Sequence, residues 1–179
     1  ADSPYRQWYV WEPARPTQFT EEWARRWSDS GNGWYYAEFG GGMPDLNYRT
    51  AAVTEKMHDV SRFWLAEMGA AGFRLDAIKY LYETPPVEKN TPETHQWLKD
   101  YHAFCRSVKA DSMLVGEVWD RTHAVAGYGP DELDLTFQFD LAGATLDAVQ
   151  KGTRGDLEGA QAEITAAFPT HQYATFLTN

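Results

Sequence analysis

The stretch Gly72-Phe73-Arg74-Leu75-Asp76-Ala77-Ile78 reads as a short strand that runs into a loop punctuated by Pro85 and Pro86. Upstream, Val53, Met57, Val60, Trp64 and Met68 recur at helical spacing after Thr50, with Gly69 as a C-terminal stop. Downstream, Thr91 is placed as N-cap and Pro92 at the first position of a second helix. Its apolar face is carried by Trp97 or Leu98, Tyr101, Phe104 or Cys105, and Val108. Met113-Leu114-Val115-Gly116-Glu117-Val118 is a second buried-looking strand, and Leu133, Leu135, Phe137 and Phe139 alternate with polar neighbours as a third. A helix is predicted from about Asp156 to Phe168, and the ending from Tyr173 to Asn179 reads as a strand. Helix and strand thus alternate over residues 51–179, the mark of βαβ units on a parallel sheet, either doubly wound or closed into a barrel. Residues 1–50 differ, with Pro4, Pro13, Pro16, Gly31, Gly33, Gly40 to Gly42 and Pro44 implying irregular structure and short strands.

Composition narrows the function. The 179 residues suit one ordinary domain, and a formal charge of −10 argues against nucleic acid or anionic lipid as a partner. No apolar run approaches the roughly 20 residues of a membrane-spanning helix. Cys105 stands alone, so neither an internal disulfide framework nor a multi-cysteine metal site is expected. Ala1 to Pro4 has neither a basic segment nor an apolar core of a signal peptide; the compartment, secreted or cytoplasmic, is left open. There is no dinucleotide fingerprint and no P-loop, since Gly40-Gly41-Gly42 runs into Met43-Pro44. No organic cofactor is expected. His95 and His102 lie on one helix and are read as solvent-facing rather than as metal ligands, and Asp156 of Arg154-Gly155-Asp156 as a helix cap. The unusual component is aromatic: 8 Trp, 10 Tyr and 9 Phe make 15% of the chain. Core packing is the commoner use of any one ring, while the flat faces of Trp and Tyr also suit sugar stacking.

Two acids remain, Asp76 and Glu117, each at the carboxyl end of a predicted parallel strand, where active sites of α/β barrels and open α/β sheets lie. Neighbouring strands are about 4.8 Å apart, near the roughly 5–5.5 Å at which two carboxyls perform retaining glycoside hydrolysis. The strand period of two puts Arg74 on the face of Asp76, where a guanidinium favours a carboxylate nucleophile. Glu117 shares its face with Val115 and Trp119, and an ionised Asp76 beside it favours its protonated form, as a general acid requires. A purely structural alternative stands beside this one: Arg74 and Asp76 form a plain ion pair and Glu117 caps the next helix.

Gly72-Phe73-Arg74-Leu75-Asp76-Ala77-Ile78-Lys79, Gly116-Glu117-Val118-Trp119 and Phe176-Leu177-Thr178-Asn179 resemble three ordered motifs of the α-amylase family of retaining α-glucan hydrolases. Met43-Pro44-Asp45-Leu46-Asn47 resembles a fourth, near the end of that family's inserted loop domain, in the form of its group intermediate between oligo-1,6-glucosidases and neopullulanases. The resemblance implies a TIM-type (βα)8 barrel acting on α-glucans or malto-oligosaccharides, with Asp76 as nucleophile and Glu117 as general acid/base. Arg74 would support the nucleophile, Lys79 and Tyr80 would line the leaving-group side, and Trp119 is placed with the substrate-binding residues. Tyr80 stands where many α-amylases have histidine. In calcium-binding relatives the position of Asp45 supplies a ligand and that of Tyr80 a backbone carbonyl, so the resemblance implies a structural calcium at Asp45; two ligands alone do not define one.

Residues 1–50 then correspond to the C-terminal part of the inserted domain and residues 51–179 to a partial barrel, about its fourth to seventh strands. Trp8, Trp11, Trp34 and the Tyr35-Tyr36 pair become candidates for sugar stacking. The family's first motif is absent and its last is cut after Asn179, before the third catalytic carboxylate. Half a barrel leaves open sheet edges, so the chain alone is expected to be poorly folded and inactive on starch. A transglycosylase or isomerase on the same barrel, such as a trehalose-forming enzyme, is the in-class alternative. A non-catalytic glucan-binding or transporter-associated homologue is the alternative outside it.

Overall fold

A computed structural model of the chain describes residues 3–168 and 173–177. Contacts divide the chain into two compact units, Ala1–Ser61 with Lys79–Thr94, and Arg62–Ile78 with His95–Asn179.

The first unit holds a three-stranded antiparallel sheet in the order β1-β3-β2, from β1 (Trp11–Glu12), β2 (Trp27–Asp29) and β3 (Trp34–Tyr36). The β2–β3 turn needs positive φ at Gly31 (+78°) and Gly33 (+116°), and Asp29 Oδ1 accepts the Gly31 amide at 2.8 Å. Helix α1 (Glu21–Arg25) is capped by Thr20, whose Oγ1 accepts the Trp23 amide at 2.9 Å. Its Trp23 packs with Trp27 and Tyr36 as a small aromatic core, Trp23 and Tyr36 having ring centroids 4.9 Å apart. Tyr36 is therefore a core residue and offers no face to a sugar. Trp34 packs against the same core, and Arg6 lies 3.9 Å over one face of the Trp11 ring.

In the second unit, β4 (Gly72–Leu75), β5 (Met113–Gly116), β6 (Leu135–Phe137) and β7 (Tyr173–Ala174) form a parallel sheet in that order. Parallel neighbours require crossovers, and helices supply them: α3 (Pro92–Val108) between β4 and β5, α4 (Thr122–Val125) between β5 and β6, and α5 (Phe139–Lys151) with α6 (Gly155–Ala167) between β6 and β7. Only glycine can open β4, because a Cβ at Gly72 would sit 1.8 Å from the Met113 carbonyl oxygen of β5. Thr91 caps α3, accepting the Thr94 amide at 3.2 Å, and the buried face of that helix resolves to Leu98, Tyr101 and Cys105.

Several expectations are corrected. Helix α2 (Ala51–Arg62) runs into a π-helical turn, Phe63–Glu67, closed by Met68 N–H to Phe63 O at 3.0 Å. The wider turn shifts the phase from Phe63 onward, so Leu65 is buried while Trp64 and Met68 are exposed; Val60, ahead of the turn, is exposed as well. The third strand stops at Phe137; Phe139 opens α5, which the strand-like alternation had concealed. Asp156 lies in the first turn of α6 behind Arg154 and does not cap it, although its charge still suits that helix end. Nor are the α3 histidines solvent-facing: His95 Nδ1 lies 2.8 Å from the buried Glu132, and His102 Nε2 3.6 Å from Asp134. Asp134 also accepts the Leu114 amide at 2.7 Å and pairs with Arg106, tying α3, β5 and the approach to β6 together. Of the predicted final strand, Thr178 and Asn179 lie outside the described residues, as does His171. Among the described residues no helix is long and apolar enough to cross a membrane.

Candidate active site

Strands β4 and β5 are in register, with Leu75 opposite Gly116 at the carboxyl end of the pair. The next residues along each strand are Asp76 and Glu117. The Glu117 amide donates to the Leu75 carbonyl at 2.8 Å, so the departing chain stays fastened to its neighbour at the level of Asp76. Gly116 permits this, because a Cβ there would meet Leu133 at 2.4 Å and Ile78 at 2.9 Å, both of which close over the strand end.

One guanidinium, that of Arg74, touches both side chains. Two acids spanned by a single guanidinium fit the roughly 5–5.5 Å spacing of retaining carboxyl pairs. Arg74 bridges them: Nη1 lies 2.5 Å from Asp76 Oδ1, and Nη2 donates to Glu117 Oε2. The strand period of two brings Arg74 to Asp76, and the β4–β5 register brings it to Glu117.

The acids differ in surroundings. The Asp76 side chain is 73% exposed and that of Glu117 15%. Burial pushes the Glu117 carboxyl above its ordinary range, and the hydrogen bond and charge of Asp76 push it further; the Arg74 guanidinium and the Ala77 amide oppose the rise. Ala77 adopts φ +46°, a left-handed conformation that costs a non-glycine residue about 1–3 kcal/mol, and its N–H reaches the Glu117 carboxylate. Nothing in the residue type Ala announces this donor. The capping alternative for Glu117 fails, because α4 begins only at Thr122, whose amide and hydroxyl are taken by Asp140 at 2.8 Å each.

Trp119, two residues beyond Glu117, belongs to the same unit and is 67% exposed. Lys79, Tyr80 and Asp45 belong to the other. Lys79 is buried on the 3-10 turn Ile78–Tyr80, its Nζ 5.0 Å from the Tyr80 ring centroid, and Phe39 meets Tyr80 edge-on at 5.5 Å.

Asp45, where the resemblance implies a calcium, is engaged within the protein. One carboxylate oxygen already accepts the Glu38 amide at 2.6 Å, and burial raises the Asp45 pKa to about 6. Glu38 is held by Arg26 at 3.1 Å and by the Tyr36 hydroxyl at 2.6 Å, so the local cation is a guanidinium. No chemistry is routed through the ion.

A parallel βα sheet with an acid pair at the carboxyl ends of adjacent strands is the arrangement found in the catalytic barrels of glycoside hydrolases. The family model of the α-amylase catalytic domain matches residues 1–178. The chain is 37% identical to alpha-amylase 3 of Dictyoglomus thermophilum over 148 residues, 83% of the chain and 27% of that protein. It is 33% identical to the trehalose synthase/amylase TreS of Mycolicibacterium smegmatis over 193 residues, 99% of the chain and 32% of that protein. The crystal structure of an alpha-amylase from H. orenii superposes with a TM-score of 0.81 at 32% identity, covering 99% of the chain and 37% of that structure. The chain belongs to the α-amylase family. It is a segment of that family's (βα) barrel catalytic domain, as its motifs implied, and spans about a third of the length of these relatives.

Proposed function

We propose that the protein carrying this segment cleaves α-glucosidic bonds in starch-like glucans or malto-oligosaccharides with retention of configuration. The observation that carries this reading is the Asp76–Glu117 pair at the carboxyl ends of β4 and β5, bridged by Arg74. Exposed Asp76 attacks the anomeric carbon and forms a glycosyl ester as the C–O bond to the leaving sugar breaks. Glu117, kept protonated by its burial and by its neighbour, delivers its proton to the departing oxygen. Now ionised, Glu117 takes a proton from water, which displaces Asp76 and releases the sugar. Arg74 holds both carboxylates in place, while Lys79, Tyr80 and Trp119 bind sugar. Glu117→Gln in the parent protein is expected to lower kcat on maltotriose by roughly 10²–10⁴-fold with little change in binding. Unchanged turnover would remove Glu117 from the mechanism.

A second reading shares the first half-reaction and replaces water by a sugar hydroxyl. It is favoured by relatives named trehalose synthase, which match 99% of the chain at 31–33% identity. Supplying maltose to the parent and following trehalose against glucose separates the two.

A further inference from the structure

The connection from β5 to β6 is fastened to helix α3 by charged groups that the reaction does not use. The Glu132 carboxyl is buried and lies 2.8 Å from His95 Nδ1, with Lys99 Nζ 4.0 Å away. The His95 ring is held in turn against the buried Tyr128, with centroids 4.5 Å apart. Two residues past Glu132, Asp134 pairs with Arg106 of the same helix and accepts the Leu114 amide of β5 at 2.7 Å. The Glu132 and Leu133 amides both return to the Gly129 carbonyl, at 2.9 and 3.1 Å, so the turn between the anchors is closed on itself. Leu133 stands between the two anchored acids and is buried. It fills the space that position 116 leaves open, because a Cβ on Gly116 would collide with Leu133 and Ile78.

Side chains alternate along a strand, so Gly116 and Glu117 face opposite sides and Leu133 backs the strand end from behind the acid. Ile78, two residues past Asp76, meets the same spot from the end of β4. We propose that His95 is a positioning residue for Glu117: by holding Glu132 it keeps Leu133 seated against Gly116, and so fixes the backbone from which Glu117 reaches the leaving-group oxygen. The inference rests on the hydrolase reading above and extends it to a residue of α3. Removing the imidazole leaves Glu132 buried without its hydrogen-bond partner on that helix, and the turn must shift to bring the carboxylate to water. Leu133 moves with the turn. A displacement of about 1 Å at a catalytic group is enough to slow the reaction roughly 10²-fold.

The test compares two substrates of the parent protein: maltotriose, whose leaving sugar must be protonated, and α-glucosyl fluoride, whose leaving fluoride needs no proton. For both, kcat/KM reports the step in which the leaving group departs. His95→Ala is expected to lower kcat/KM on maltotriose by about 10–100-fold and to leave that on α-glucosyl fluoride within roughly two-fold. His95→Asn, which returns a donor to Glu132, is expected to recover most of the loss. Leu133→Val, a milder change at the contact itself, is expected to show the same selective loss, and decides the matter if His95→Ala does not fold. Unchanged kcat/KM on maltotriose in these variants overturns the proposal. So does an equal fall on both substrates, the signature of a general loss of folded enzyme, or a His95→Asn variant as impaired as His95→Ala. Glu117→Gln is assayed beside them. Equal loss on both substrates in Glu117→Gln refutes the general-acid reading itself, whereas a selective Glu117→Gln with an unselective His95→Ala refutes the positioning role alone.

Discussion

Glu117 and Asp76 have the same chemistry and opposite surroundings, and Arg74 is the group that touches both. Its charge holds the Glu117 carboxyl below where burial and Asp76 would otherwise push it. A general acid works only while protonated, so activity falls as pH rises through its pKa. Replacing Arg74 by Gln removes the lowering charge and raises that pKa, so the alkaline limb of the kcat profile is expected to move to higher pH. The same change is expected to lower kcat/KM by about 10²-fold, as for loss of one aimed donor. An alkaline limb that stays in place or moves to lower pH contradicts the assignment. The juxtaposition of Asp76, Glu117 and Arg74 was legible from the sequence, because a strand's period of two and the carboxyl-end rule act on residue types visible in the chain. Ala77 was not legible, since its contribution is a backbone amide turned by a positive φ, and no side chain encodes it.

The short strands and their loops carry a second electrostatic feature. In the first unit, Asp45, Glu38 and Glu83 crowd together; burial and the charges of Asp45 and Glu38 raise Glu83 to about 8, with Arg49 opposing. Asp45 is raised to about 6. Both carboxyls bind protons more tightly folded than unfolded, so the stability they contribute is complete at acid pH. It is lost as pH rises from about 4 through those values. Glu83→Gln is expected to leave Tm unchanged at pH 4 and to raise it at pH 8 relative to the unaltered protein. Parallel Tm profiles for the two would contradict this. Element boundaries were less legible than element types. The alternation Leu133, Leu135, Phe137, Phe139 continues past the point where pairing with β7 ends, and α5 starts inside it. A helix whose buried stripe is shifted by a π-turn cannot be phased from 3.6-residue spacing, which is why Trp64 was expected inside.

The parallel order β4-β5-β6-β7 with helical crossovers brings residues distant in sequence, Asp76 and Glu117, to one end of one sheet. That arrangement was legible because helix and strand alternate over residues 51–179 and because four motifs stand in a fixed order. The aromatic excess was harder to divide by use. Tyr36 turned inward with Trp23 and Trp27, whereas Trp119, one ring among 8 Trp, stayed at the surface; tertiary packing decides that, and composition does not encode it. The central claim is that Asp76 becomes covalently glycosylated during turnover. Its most direct test is mass spectrometry of the parent protein after reaction with a 5-fluoro-α-glucosyl fluoride, a substrate that forms the glycosyl ester faster than water removes it. A fluoroglucosyl mass increment on the peptide containing Asp76 is predicted; an unlabelled Asp76 peptide, or a label on the Glu117 peptide instead, would contradict it.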